Sequence, residues 1–305
     1  MDASTEDEEW PSRPYRGLKF YRERHARLFC ERDSSIRQCA ETLLGFGVKI
    51  LVLQGSSGAG KSSFLRAGLI PYLQRDIHHR SVFLDKEDVA IRCTSDPLPA
   101  IANELINALA TGNVVRQALA ATNIDDGDLL IRGDIRNGLD MELRALLSGP
   151  RRRLASGLVN ALQILYGELS GKLILVLDQA EEVLTRSSDE PSTNEAAAAF
   201  FYFLEEVYLE NLDVRIIVSL RTEYYGRFRD ELRISDDRLT DRPKRGGVEP
   251  YLLRSLRDRD ALLRVVRAPT EARYADGRPA YNFGTIVSMR VTYRKEITGK
   301  ANNFH

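Results

Sequence analysis

A chain of 305 residues with 43% hydrophobic and 29% charged content is long enough for one large or two small domains around a sizeable core. Its 44 basic side chains are balanced by 44 acidic ones, so no chain-wide field draws it to nucleic acid or anionic lipid, and its partners must be read from local sites. No run approaches the about 18 uninterrupted apolar residues of a membrane helix, and the opening MDASTEDEEW is acidic where a targeting peptide would be basic, which predicts a cytoplasmic protein.

Cys30, Cys39 and Cys93 are odd in number and lack CxxC spacing, so they read as reduced structural thiols and not as a disulfide framework or zinc site. Residues 1–13 form a flexible acidic lead-in around Trp10, ending in the proline-punctuated stretch Pro11–Pro14. Between Glu31 and Leu44, Ile36, Ala40, Leu43 and Leu44 recur near three-and-four spacing, which predicts an amphipathic helix. Val48–Leu53 is a short apolar run rich in β-branched residues and reads as a buried parallel strand ending just before Gly55. Lys61–Leu73 carries Phe64, Leu65, Leu69 and Ile70 on one helical face and is expected to be interrupted near Pro71.

A further strand is expected at Val89–Cys93, then a turn at Asp96–Pro99 and a helix over Ala100–Ala110. Helical patterns follow at Leu139–Leu147 and Leu154–Leu169, separated by the basic run Gly149–Arg153. Leu173–Leu177 ends at Asp178 and Val214–Leu220 ends at Arg221; both read as central strands that deliver a polar residue at their C-terminal ends. The alanine-, aromatic- and acid-rich stretch Glu195–Leu212 between them is a helix on the sheet. This alternation implies a three-layer α/β fold with a parallel sheet and right-handed crossovers.

The string Gly55-Ser56-Ser57-Gly58-Ala59-Gly60-Lys61-Ser62 satisfies the phosphate-loop pattern G-x-x-x-x-G-K-S/T between a predicted strand and a predicted helix. Glycines at 55, 58 and 60 let the backbone curl so that its N–H groups face phosphates, at the positive end of the helix dipole. Lys61 is placed to neutralise the β- and γ-phosphates of ATP, and Ser62 to present its hydroxyl to Mg²⁺. Asp178 is the candidate to hold the metal through water, and Glu181 or Glu182 the candidate to orient or deprotonate the attacking water. Arg221 is the candidate reporter of the γ-phosphate. The four histidines, His25, His78, His79 and His305, lack metal spacing and read as surface residues, and the basic clusters Arg151–Arg153 and Arg242–Arg245 read as solvated charge in loops.

These residues resemble the STAND NTPases, and within them the bacterial novel STAND NTPase group. Pro14-Tyr15-Arg16-Gly17-Leu18 resembles the group's P-Y-x-G-L, and Phe29 with Arg32 and Asp33 resembles F-x-G-R-E near the adenine, with Glu31 in place of the usual glycine. Ser62-Ser63-Phe64-Leu65-Arg66-Ala67-Gly68-Leu69-Ile70-Pro71 is similar to the stretch S-S-L-x-R-A-G-L-x-P, which adds Ser63 to the nucleotide-facing loop Gly55, Ser57, Gly58, Ala59, Gly60, Lys61 and Ser62. Leu177–Leu184 resembles V-D-Q-F-E-E-L-F, with Ala180 where phenylalanine is expected, and Ser219–Gly226 resembles L-R-A-D-F-Y-G, whose arginine senses nucleotide. Tyr251–Leu256 and Ala268-Pro269 look like the next strand and a G-P-A turn.

The resemblance implies a P-loop NTPase domain over 14–250, a last strand and the start of a small helical lid over 251–275, and an unassigned tail, 276–305, of a truncated product or a stand-alone module. It also implies a switch, in which ATP binding drives self-association, slow hydrolysis to ADP and phosphate resets it, and a protein signalling partner or effector in defence or stress reads it out. Two other readings stay open on the residues alone. One is a scaffold that holds nucleotide without turning it over, and the other a DNA-associated ATPase.

Overall fold

The computed structural model describes residues 14–15, 19–76, 81–84, 89–111, 133–168, 172–185, 191–210, 212–234, 247–274 and 276–281. Trp10, His78, His79, His305, the Arg242–Arg245 cluster and Arg16–Leu18 lie outside them.

Among the described residues, six strands form one sheet in which every pairing is parallel: β1 (Ile50–Gly55), β2 (Ser81–Val82), β3 (Ala90–Arg92), β4 (Lys172–Asp178), β5 (Val214–Arg221) and β6 (Val248–Leu252). The order is β2-β4-β5-β1-β6, with β3 also paired to β4. The Arg221 strand therefore separates the phosphate-loop strand from the Asp178 strand. Strand β6 leaves the sheet after Leu252 and does not run to Leu256. It is an edge strand, where Pro250 can sit without costing the sheet a ladder bond.

The period of two along the strands sorts side chains onto two faces. Ile50, Val52, Leu173, Leu175, Leu177, Val214, Ile216, Val218 and Leu220 enter the larger core, whereas Leu51, Leu53, Ile174, Val176 and Ile217 enter the smaller one. The larger core is closed by α3 (Leu98–Thr111), α4 (Gly133–Leu146), α5 (Arg151–Glu168), α6 (Glu181–Thr185), α7 (Pro191–Leu209) and α8 (Tyr225–Glu231). The smaller is closed by α1 (Asp33–Leu44) and by α2, which is α-helical over Lys61–Ser63, π-helical over Phe64–Leu69 and α-helical again over Ile70–Arg75. Helices on both faces of a parallel sheet make the three-layer α/β fold.

Several sequence expectations need correction. Helix α2 is not interrupted at Pro71: its wide π turn comes first, and Pro71 falls within the first turn of the α segment that follows, where a missing N–H and a bulky ring are tolerated. Ala268-Pro269 is not a turn but lies within α9 (Arg259–Glu271), close to its end. His25 is buried, and its Nδ1 accepts the Arg22 N–H at 2.8 Å. Arg151–Arg153 opens α5: Arg151 pairs with Asp96 at 2.5 Å and Arg152 stacks 3.8 Å over the Tyr202 ring, so these two are engaged charges and not a solvated loop. Strand β2 had no expectation, because two residues are too few to show a period.

Cys39 and Cys93 are fully buried and Cys30 half-buried, and burial raises the pKa of all three thiols. A thiol reagent at neutral pH is expected to modify at most Cys30 in the folded protein and all three cysteines in urea. Rapid native labelling of Cys39 or Cys93 would contradict this packing.

Candidate functional site

The site lies at the C-terminal ends of β1, β4 and β5, where an open parallel sheet presents a crevice. At Gly55, the last residue of β1, a Cβ would sit 2.8 Å from the Leu253 carbonyl oxygen, closer than real Cβ atoms come. Gly58 and Gly60 hold φ of 77° and 88°, a left-handed geometry that side chains with a Cβ rarely adopt. Together they fold the chain back onto the start of α2, with Ala59 N–H donating to Ser56 O at 3.1 Å and Phe64 N–H to Gly60 O at 2.8 Å. Ser56, Ser57, Gly58 and Gly60 are exposed, and Ala59 is buried beneath them.

Lys61 curls over this loop, its Nζ donating to the carbonyls of Gly55 at 2.8 Å and Ser56 at 3.2 Å. Burial lowers its pKa below that of an ordinary lysine, and the carboxylates of Glu181 and Asp178 act in the opposite direction. These two acids therefore share the electrostatic neighbourhood of the loop. Ser62 is half-buried beside Lys61. Ser63 is differently engaged: its Oγ accepts the Tyr21 N–H at 3.0 Å, which ties it to the N-terminal segment.

Asp178 is 3% exposed. Its Oδ1 accepts the Gln179 N–H at 3.0 Å and its Oδ2 accepts Arg66 Nη1 at 2.6 Å. Gln179 has φ of 61°, and Ala180 N–H donates to Ser219 O at 2.9 Å, so the chain turns sharply off β4 toward β5 before α6 begins. That turn buries Glu181, while Glu182 is only half-buried, which distinguishes two glutamates that the sequence alone leaves equivalent. Glu181 Oε1 lies 3.2 Å from Arg221 Nε, and Glu181 Oε2 is buried with no hydrogen-bond partner. Arg221 stands directly opposite Gly55 in the β1–β5 register, keeps 44% of its side chain exposed and also faces Glu223 at 3.9 Å.

Two further arginines belong to the arrangement. Arg32 is buried and donates to Ala59 O at 3.1 Å and Arg254 O at 2.7 Å, pinning the loop to the chain just after β6; burial lowers its pKa. The resemblance placed Arg32 near an adenine, whereas its guanidinium is committed to backbone. Arg66 holds Asp178 from the middle of a run, Phe64–Leu69, whose residues are all buried. A lone arginine inside an apolar helix face is the sequence signal for such a residue. Glu31 has φ of 64°, which is why glycine suits that position, and its carboxylate receives both Nε and Nη2 of Arg264 at 2.5 and 2.8 Å. Those bonds lower its pKa.

A strand, a glycine turn that starts a helix with lysine, and an acid at the tip of the next strand but one in the sheet define a P-loop nucleoside triphosphatase. The chain belongs to the family described as Novel STAND NTPase 1, whose sequence model matches residues 14–280. Among solved structures, it resembles the Walker-type ATPase paby2304 of Pyrococcus abyssi at 18% identity and a TM-score of 0.42. That likeness covers 84% of this chain and 61% of that one, so the chain spans less than two thirds of its length. No curated protein matches the chain.

Replacing Arg32 by alanine removes the donors that two inward carbonyls use. The expected loss is about 1–3 kcal/mol of folding stability, read as a lower urea midpoint; an unchanged midpoint would show that the tie contributes nothing.

Proposed function

We propose that the chain binds ATP with Mg²⁺ at Gly55–Ser62 and acts as a nucleotide-dependent signalling switch. The observation that carries the reading is the convergence at one sheet end of the exposed glycine loop, Lys61, Asp178, Glu181 and Arg221, with Arg221 in register with Gly55. The loop amides of Ser57, Gly58, Ala59 and Gly60, with Lys61, Ser62 and Ser63, form the phosphate cradle. In this reading the Lys61 ammonium exchanges two backbone carbonyls for phosphate oxygens.

The donor set suits a hard cation that keeps waters. Ser62 and Asp178 offer oxygen only, and the described residues contain no group of three or more His, Cys, Asp or Glu able to enclose a metal by themselves. When bound, Mg²⁺ supplies charge neutralisation of the phosphate oxygens. Ser62 would offer it a hydroxyl, and Asp178 would hold it through water.

Glu181 is the residue assigned to the attacking water, because it is buried at the end of the sheet that carries the loop and has an unpartnered oxygen, Oε2. Glu182 is a supporting acid one position further out. Arg221 pairs with Glu181, and a γ-phosphate would compete for that guanidinium. Phosphate arrival thus frees Glu181 and moves Arg221, which couples nucleotide state to the end of β5. Self-association in the ATP state, a protein effector, a cytoplasmic setting and a role in defence or stress complete the reading, after the family resemblance.

A non-hydrolysing scaffold is the second reading, favoured by the fact that both acids are engaged by arginines, Asp178 by Arg66 and Glu181 by Arg221. Phosphate release by the purified protein separates the two. The switch reading expects slow turnover that Glu181→Gln abolishes without weakening ATP binding, and zero turnover in the wild type with retained nucleotide supports the scaffold. For the site itself, Lys61→Ala should cost about 1.5–3 kcal/mol of binding, roughly ten- to a hundredfold in Kd, measured by calorimetric titration. Equal affinities in wild type and variant would remove Lys61 from the cradle.

A further inference from the structure

We propose that Arg66 is a positioning residue that sets the Asp178 carboxylate for metal-assisted nucleotide binding and links it, through Phe20, to the N-terminal segment. The proposal rests on the site reading above and extends it to a side chain bonded to Asp178 and to the β3 backbone.

Arg66 and Asp178 are both buried, 8% and 3% exposed. A carboxylate has two oxygens and about four lone-pair positions. Here Arg66 Nη1 takes one position on Oδ2, and the Gln179 N–H takes one on Oδ1. Donors on different oxygens stop the group from rotating and leave its remaining lone pairs in fixed directions. The guanidinium is itself fixed: Nη2 donates to Ala90 O at 2.8 Å on β3, and the Phe20 ring lies over it at 4.6 Å. The planar fork sets two nitrogens at a fixed separation, one for the β4 carboxylate and one for the β3 carbonyl, a geometry that the single nitrogen of a lysine on a flexible stem does not reproduce.

The placement also has reach. Phe20 is followed by Tyr21, whose N–H is bonded to Ser63 Oγ on the first turn of α2. The same N-terminal segment is fastened to α9 by Tyr15 Oη donating to Val266 O at 2.7 Å and by the Glu31–Arg264 pair. The segment that carries Phe20 is thus in contact both with α2, at Ser63, and with α9. Outer partners that orient a metal-facing carboxylate are worth about ten- to a hundredfold in metal affinity.

The test uses the full chain as Arg66→Met, Arg66→Lys and Phe20→Ala, with thermal melting to verify folding. The affinity of a fluorescent, non-hydrolysable ATP analogue is measured in EDTA and across a MgCl₂ series. In the wild type Mg²⁺ is expected to tighten binding. Arg66→Met and Arg66→Lys should keep the EDTA affinity within about twofold and lose about tenfold or more of the Mg²⁺ enhancement, with Phe20→Ala losing a smaller part. Should Arg66→Met not fold, the other two variants decide by the same criterion. An unaltered Mg²⁺ enhancement in Arg66→Lys and Phe20→Ala overturns the proposal. So does an equal loss with and without Mg²⁺, which is what a merely structural arginine would give. A wild type that binds the analogue without any Mg²⁺ enhancement leaves Arg66 nothing to position and overturns it while sparing the loop. A wild type that binds no nucleotide at all overturns the site reading as well.

Discussion

The parallel pairing of β1 with β5, which sets Gly55 opposite Arg221, is the constraint on which the rest of the arrangement depends. All strands of a parallel sheet end on the same side, so once β1 delivers the glycine turn there, β5 must deliver Arg221 and β4 must deliver Asp178 to the same crevice. The inner strands are apolar on both faces because helices cover both, and that burial fixes the register: a slip of one residue would exchange the two cores along β1, β4 and β5. Packing energy far from the site thus determines which polar residues meet.

What the crevice adds is a set of arginine ties that hold the loop and the acids in place. Arg32 fixes the loop from outside, Arg66 fixes Asp178 from below, and Arg221 holds Glu181. Two of the three, Arg32 and Arg66, are buried and satisfied by backbone or carboxylate, so losing either leaves inward-facing acceptors without donors. Glu31 illustrates the same logic at a position where a glycine would be free of strain. A left-handed non-glycine residue costs on the order of 1–2 kcal/mol, and here the side chain acquires a bidentate ion pair, near the surface, that fastens α9 to the N-terminal segment. Such an exposed pair weakens with salt, whereas the buried ties do not.

The parts legible in the sequence were those with a strong period or a fixed spacing. Central strands β1, β4 and β5 announce themselves as apolar runs that stop at a polar residue, and the glycine loop has a pattern whose backbone needs are unusual enough to be specific. Less legible were features that depend on partners distant in the chain. Nothing local distinguishes Glu181 from Glu182, because their difference arises from the turn at Gln179 and from Arg221 some forty positions on. Nothing local shows that Arg32 serves two carbonyls rather than a base, or that His25 is buried. Arg151 and Arg152 looked like loop charge because an Asp96 and a Tyr202 far along the sequence supply their partners. Pro71 misled in a different way: proline usually stops a helix, but the π turn before it absorbs the cost.

The central claim is that the amides of the glycine turn clasp a triphosphate, and hydrogen–deuterium exchange addresses it directly. With ATP and Mg²⁺ at saturation, the account predicts slowed exchange confined chiefly to the peptide spanning Ser56–Ser63, whose loop residues are largely exposed in the structure described here. Unchanged exchange over that peptide while nucleotide is demonstrably bound would place the ligand elsewhere and contradict the account.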